Sequence, residues 1–273
     1  MYAYKLFLNK ANIKIYINKM KYIRSFETLA GFQAAEAILD RPNVSLIEAT
    51  MGLNYLPYVA PVVPQHDYVE IGGIKWATMN VGANSITDYG LYFQWGDTQG
   101  YTASQVGSGE GKKYFGWADY KYGDGSDGEM YTPQLSKYNS TDGKTVLDSS
   151  DDAAIAAWGG NWRTPTHEEW VAFSEAVDAV WTTDYQGSGV NGFLCTDKTD
   201  SSKVIFLPAA GNAYNGVVNR ANNRLHYWSS SLYSGSSWAY LLTRDSSFYS
   251  GDPQWSAKTD CRDGSCIRAI LDE

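Results

Sequence analysis

Apolar residues along this chain come in short groups, and the spacing within each group sets the element expected there. Leu29, Phe32 and Ala35, with Ile38 or Leu39, recur at helical spacing and predict an amphipathic helix over 28–39. Asp40-Arg41-Pro42 ends it, because the residue before proline disfavours the α region. Asn43-Val44-Ser45-Leu46-Ile47 then reads as a strand, and the proline-bearing stretch 56–65 reads as an extended linker. The first unit is therefore expected to be a small helix–strand segment over 1–65. It is too small to bury a core alone, so it is expected to pack on a neighbour or self-associate.

Beyond the linker the periodicity changes. Tyr68-Val69-Glu70-Ile71 and Ile74-Lys75-Trp76 flank Gly72-Gly73, which predicts a hairpin. Leu91 to Gly96 reads as an aromatic strand. Stretch 98–152 is rich in Gly, Ser, Asp and Tyr and predicts long loops, pinned by Tyr114, Phe115, Trp117 and Tyr120. Asp151 to Trp158 is expected to be helical. Thr166-His167-Glu168-Glu169 reads as a capping box, followed by a helix that buries Trp170, Phe173 and Val177. From Lys203 onward short strands alternate with turns. In 205–270, apolar pieces (Ile205-Phe206-Leu207, Tyr227-Trp228, Ala239-Tyr240 with Leu242, and Ile267 with Ala269-Ile270) alternate with Ser, Tyr, Gly, Asn, Asp and Arg. Rigid aromatics beside adaptable polar groups make a good binding surface, although Ser, Gly and Asn are also ordinary turn residues. The whole predicts an α+β protein with its second domain over 66–273.

Composition narrows the partners. The 273 residues carry a formal net charge of -8, so nucleic acid is not expected as a partner. Aromatics make up 15%, which suits a β-rich fold or a carbohydrate- or protein-binding surface. No apolar run approaches the ~18 residues of a membrane span. The basic N-terminus lacks the apolar centre of a signal peptide, so Sec export is not expected. Met20 offers a second start, and 1–19 is expected to be poorly structured or untranslated.

Familiar reactive motifs fail on inspection. Gly107 to Lys113 lacks the spacing, the Ser/Thr and the preceding strand of a phosphate loop. Asp124 to Glu129 has oxygen ligands but not EF-hand spacing. His66, His167 and His226 are scattered, so no zinc site is expected, and His167 is expected at the surface. The pairs Asp151-Asp152 and Glu168-Glu169 sit at helix starts, where negative charge complements the macrodipole. Cys195, Cys261 and Cys266 are too few for a disulfide scaffold; Cys261 and Cys266 could pair or remain free thiols. No catalytic constellation, metal or cofactor is expected.

An ordered series of motifs supplies a resemblance. It runs Leu135-Ser136-Lys137-Tyr138-Asn139, Gly143 to Leu147, Asp151-Asp152-Ala153-Ala154, Trp158-Gly159-Gly160-Asn161-Trp162-Arg163-Thr164-Pro165-Thr166, and Phe206-Leu207-Pro208-Ala209-Ala210-Gly211. Tyr227-Trp228-Ser229-Ser230-Ser231 and Gly264-x-Cys266-Ile267-Arg268-Ala269-Ile270 complete it. The stretch 68–271 resembles the Fibrobacter succinogenes major paralogous domain, found in gut Bacteroidota and their phages. The resemblance implies a C-type lectin-like fold of the formylglycine-generating-enzyme branch. It also implies kinship with variable proteins of diversity-generating retroelements, whose C-terminal region is rewritten at adenines. Cys266 and Ala269 depart from the usual family ending, which has Ser and Pro there. The cysteines do not reproduce the enzyme branch's arrangement, so its oxidase activity is not carried over.

The N-terminal run Phe26-Glu27-Thr28, Phe32 to Ala35 and Leu39 to Glu48 resembles the opening of phage structural proteins. Together the resemblances imply a receptor-binding protein on a phage tail, with its C-terminal surface diversified. Adenine replacement in AAC or AAT codons cannot yield Trp, Lys, Gln, Glu or Met, so Trp228, Trp238, Gln254, Trp255 and Lys258 are expected to be fixed. The expected variable, ligand-contacting face is Asn222, Arg224, His226, Tyr233, Gly235, Leu241, Thr243, Asp245, Tyr249, Asp252, Asp260, Asp263 and Ser265. Leu241 and Thr243 are expected to alternate with core residues Tyr240 and Leu242. The implied partner is a host surface protein or glycan, met by a homo-oligomer that family analogy makes a trimer. A bacterial surface or pilus-associated adhesin of fixed specificity is the alternative, followed by an oxidase of the formylglycine-generating type.

Overall fold

The computed structural model describes residues 4–9, 12–17, 23–26, 66–125, 133–233, 236–246 and 256–273. The chain divides into two units, Met1–Val62 and Val63–Glu273. In the first, β1 (Tyr4–Asn9), β2 (Asn12–Ile17) and β3 (Ile23–Phe26) form an antiparallel meander. Leu6 pairs with Ile15 and Leu8 with Ile13. Apolar residues at Tyr4, Leu6, Leu8, Ile13, Ile15 and Ile17 repeat with period two within these strands. The helix expected over 28–39, the strand over 43–47 and the linker lie outside the described residues.

The second unit contains β4 (Tyr68–Ile71), β5 (Ile74–Ala77), α1 (Ala153–Trp158), β6 (Trp162–Arg163), α2 (His167–Ala176), β7 (Val177–Thr182) and β8 (Gly192–Asp197). There follow β9 (Val204–Pro208), β10 (Asn212–Tyr214), β11 (Val217–Asn219), β12 (Arg224–Leu232), β13 (Trp238–Asp245), β14 (Ser256–Asp260) and β15 (Ile270–Leu271). They build small sheets in the orders β4-β5-β15-β6, β7-β8-β9, β10-β11 and β12-β13-β14. The mixed architecture is α+β, dominated by short strands and long connections.

Local chemistry explains the regular elements. Gly72 and Gly73 both take positive φ (60° and 78°), the twist a tight β4–β5 turn needs. Thr166 caps α2 by accepting from the Glu169 amide, and the Glu169 carboxylate accepts from the Thr166 amide at 2.7 Å. Arg163 then grips the same carboxylate with two nitrogens. Val177, expected on the helix, is instead the first residue of β7, although it is buried. Of the adjacent acids, Asp152 caps α1 by accepting from the Ala154 and Ile155 amides. Asp151 turns away to bond Lys121, Lys137 and Tyr138, so only one of that pair serves the helix start.

The core is two aromatic clusters with the β12–β13 pair between them. Trp76, Trp170, Phe173, Leu207, Tyr227 and Leu242 belong to one. Phe93, Trp95, Trp117, Tyr138, Trp162, Trp228 and Leu241 belong to the other. Successive residues of one strand therefore enter different clusters. That corrects the alternation expected on β13: Leu241 is buried at 1% exposure and Tyr240 is only half-buried. The run Leu91 to Gly96 is also not a regular strand. Tyr92 pairs singly with Tyr101 and Phe93 with Ser265, and Tyr92 through Trp95 are all buried. Of the loop-pinning aromatics, Phe115, Trp117 and Tyr120 are buried, whereas Tyr114 is 40% exposed.

Trp228 ties these layers together. Its Nε1 donates to the Phe93 carbonyl at 2.7 Å, and its own carbonyl accepts from Trp170 Nε1 at 3.1 Å. Replacing it should remove packing from one cluster and the indole hydrogen bond to the Phe93 carbonyl, while the backbone carbonyl that Trp170 uses remains. Urea denaturation of Trp228→Ala should show a loss of about 3–5 kcal/mol.

Candidate functional site

A cavity of about 310 Å³ opens on the β12-β13-β14 sheet. Strand register sets its lining: Arg224 pairs with Asp245, His226 with Thr243, Trp228 with Leu241, and Leu241 with Ala257. Side chains two apart along a strand share a face. Five expected contact residues, Arg224, His226, Leu241, Thr243 and Asp245, are thereby brought to one cavity. Leu241 serves as its apolar floor because the Trp228 end of this face is core. The other four continue that face as its polar end.

The polar end is charged but fixed in place. Asp245 accepts from Arg220 at 2.8 Å and from Arg224 Nε at 3.2 Å. Thr243 Oγ1 donates to the Leu225 carbonyl at 2.9 Å. His226 is 7% exposed, and its buried Nδ1 finds no hydrogen-bond partner among the described residues. Burial first, and then Arg224 and Arg220, depress its pKa to about 3, so the ring is neutral at physiological pH.

Arg244, Ser256, Ala257, Lys258 and Thr259 complete the lining and were not anticipated from the sequence. Ser-Ala-Lys-Thr-Asp has no marked apolar alternation, so β14 carried little strand signal. Lys258, expected only as a fixed residue, also reaches an aromatic group. Its Nζ lies 3.5 Å from the Tyr233 ring centroid and 5.1 Å from that of Trp238, which is 38% exposed. Tyr240 meets Tyr233 edge-on and stacks on His167 at 3.9 Å. His167 Nε2 lies 2.6 Å from Ser256 Oγ. His167 is thus built into the sheet's edge rather than left at the surface.

The remaining expected contacts are dispersed. Asn222 joins loops: its Oδ1 accepts from Tyr89 and from the Asn191 amide. Tyr233 belongs to the aromatic group, and Asp260 accepts from Arg262. Ser265 is fully buried and pairs with Phe93, so it cannot be a surface contact. Asp263 is also buried; its Oδ2 accepts from Thr259 at 2.7 Å, and burial raises its pKa to about 7. Its backbone turn leads into the core segment, which the polar side chain alone did not disclose. Gly235, Tyr249, Asp252, Gln254 and Trp255 lie outside the described residues. Cys261 and Cys266, which could have paired, are buried free thiols in different core clusters. Burial holds both thiols well above their ordinary pKa.

Among the described residues, no group of three or more His, Cys, Asp or Glu is placed to hold a metal ion. No described helix is long and apolar enough to cross a membrane. No family model matches the chain, and neither curated proteins nor solved structures include a significant match.

The two perturbed groups act on stability in opposite directions. His226 has a depressed pKa, so its contribution is present above about 6.5 and is lost as pH falls toward about 3. Asp263 has a raised pKa, so its contribution is present below 3.8 and is lost as pH rises through about 7. Denaturation of Asp263→Asn across pH 3–8 should match the parent in acid and exceed its stability increasingly up to pH 7. Equal pH profiles would show that the carboxyl is not protonated by burial.

Proposed function

We propose that this chain is a non-enzymatic ligand-binding protein that presents the β12-β13-β14 cavity to a host surface molecule. The carrying observation is the convergence of Arg224, His226, Leu241, Thr243 and Asp245 on that cavity. A concave site with an apolar floor and a few polar groups is the usual form of a small-ligand site. The finer reading is a C-type lectin-like receptor-binding protein on a phage tail, acting as an oligomer, with a retroelement diversifying the polar end. The ordered motifs from Leu135 to Ile270 support it. So does the separation of roles on β12, where Trp228 holds the core while Arg224 and His226 line the cavity. Several copies on one particle would supply avidity where single-site affinity is modest.

The cysteines support this binding reading over thiol oxidation. A cysteine nucleophile needs an accessible thiolate, and Cys195, Cys261 and Cys266 are all fully buried.

Sequencing the codons for 205–273 across one population tests the diversified reading. Changes should concentrate at Arg224, His226, Thr243 and Asp245, opposite adenines of a nearby near-copy repeat. Codons for Trp228, Leu241, Ser265 and Arg268 should stay constant. Uniform codons and no repeat would remove diversification and leave a binder of fixed specificity.

A further inference from the structure

Asp263 is a carboxyl placed where an ionised one is poorly served. It is 6% exposed, and its Oδ1 has no hydrogen-bond partner among the described residues. Its Oδ2 accepts from Thr259 Oγ1 at 2.7 Å. One hydroxyl is a thin supply of donors for a buried carboxylate, whose desolvation is costly unless a charge or several donors compensate it. The charged groups around it do not compensate. In its own turn Asp260 is a second acid, and that side chain takes Arg262 Nε at 3.3 Å. The Arg262 guanidinium lies over both the Trp117 and Tyr214 rings, at 5.2 and 5.3 Å. Beyond Arg262, Asp119 pairs with Lys113 at 3.4 Å. The nearby Cys261 thiol is kept neutral by burial. On the cavity side Arg224 bonds Asp245, and His226 is neutral at physiological pH. Lys258, next to Thr259, lies on the opposite sheet face, over Tyr233.

The single donor belongs to the strand least secured in its sheet. Among the described strands β14 pairs with β13 alone, at the edge of the order β12-β13-β14. Thr259 pairs there with Ala239 and lines the cavity. Asp263 belongs instead to the turn that leads into the closing segment. Its amide donates to the Asp260 carbonyl at 3.0 Å, and Gly264, next in the chain, exchanges two hydrogen bonds with Ala213. The Thr259–Asp263 bond thus ties an edge strand to a segment anchored in the core. A neutral carboxyl can stay buried behind that strand. A carboxylate gains by reaching water, and parting β14 from β13 at Thr259 lets water in.

We propose that Asp263 is a proton-dependent latch on the outer wall of the cavity: protonated, it holds Thr259 and the end of β14 against the closing segment, and ionised, it lets that end open. Burial places the change across neutral pH, since it raises the Asp263 pKa from 3.8 to about 7. The closed form binds the proton more tightly than the opened form does. Closure is therefore strongest in acid and is lost as pH rises through about 7. The latch is a property of the chain alone and stands whether or not the cavity takes a ligand.

Native-state hydrogen exchange of the full chain across about pH 5–9, read as protection factors for amides of β14 and of the core strand β8, tests it. Between about pH 5 and 7 the protection of β14 should fall at least tenfold, roughly, and then level off. It should stay below that of β8 throughout. Asp263→Asn should leave β14 equally protected across the range. Thr259→Val removes the donor to the carboxylate and keeps a β-branched side chain, so the fall should level off at a higher pH. Protection of β14 that does not change with pH overturns the proposal, as does a fall that persists in Asp263→Asn. If β14 and β8 lose protection together and to the same values, the carboxyl acts on global unfolding and the latch is refuted. An unmoved levelling point in Thr259→Val would show that Thr259 does not link the carboxyl to the strand, and would refute it as well.

Discussion

The buried guanidinium of Arg268 is the constraint around which the second unit is arranged. It is fully buried and donates to Asn80 Oδ1 at 2.9 Å, the Ala77 carbonyl at 3.0 Å and the Phe206 carbonyl at 3.1 Å. A buried charge is tolerated only when its donors are satisfied, and here oxygens from three separate parts of the chain must come together to do it. Burial lowers its pKa, while the nearby Tyr227 hydroxyl pulls the other way. The side chain therefore fixes the closing segment against β5, the following loop and β9 at once.

The backbone of that segment continues the same work. Gly264 exchanges two hydrogen bonds with Ala213, and Ser265 exchanges two with Phe93. Cys266 accepts from Trp228 and donates to His226, and Ile267 and Ala269 accept from Val81 and Ala77. Ile270 then pairs with both Trp76 and Arg163, so β15 joins early and middle strands in one sheet. At Gly211, which has a φ of +66°, an added Cβ would meet the Asn219 carbonyl oxygen at 2.0 Å. Close approach of this kind holds the β10–β11 hairpin near the start of β12. The cavity's register follows from this frame: Cys266 bonds β12 beside His226, and Trp228 locks β12 to the Phe93 loop.

Local chemistry was the most legible part of the sequence. The Gly72-Gly73 turn and the Thr166–Glu169 box need only neighbouring residues, and both appear as expected. Alternation failed where the sheet is covered on both faces. Leu241 and Leu242 are both core because clusters lie on each side, and a period-two rule assumes that one side is wet. Ser265 and Asp263 looked like surface residues because polar side chains are usually exposed. Their burial comes from pairing across more than 100 residues in the case of Ser265 and Phe93, which local pattern cannot show. The cavity was half legible: Arg224, His226, Leu241, Thr243 and Asp245 were found, whereas β14 supplied its lining without a readable period.

A rigid frame centred on Arg268 is thereby separated from β14, which pairs with β13 at the outer edge of its sheet. Native-state hydrogen exchange measures that separation directly. Amides of Gly264, Ser265 and Cys266 should exchange only through global unfolding, while amides of β14 should exchange through smaller local openings. Equal protection of β14 and the closing segment, with both tracking global stability, would contradict that separation by making outer strand and frame one cooperative unit.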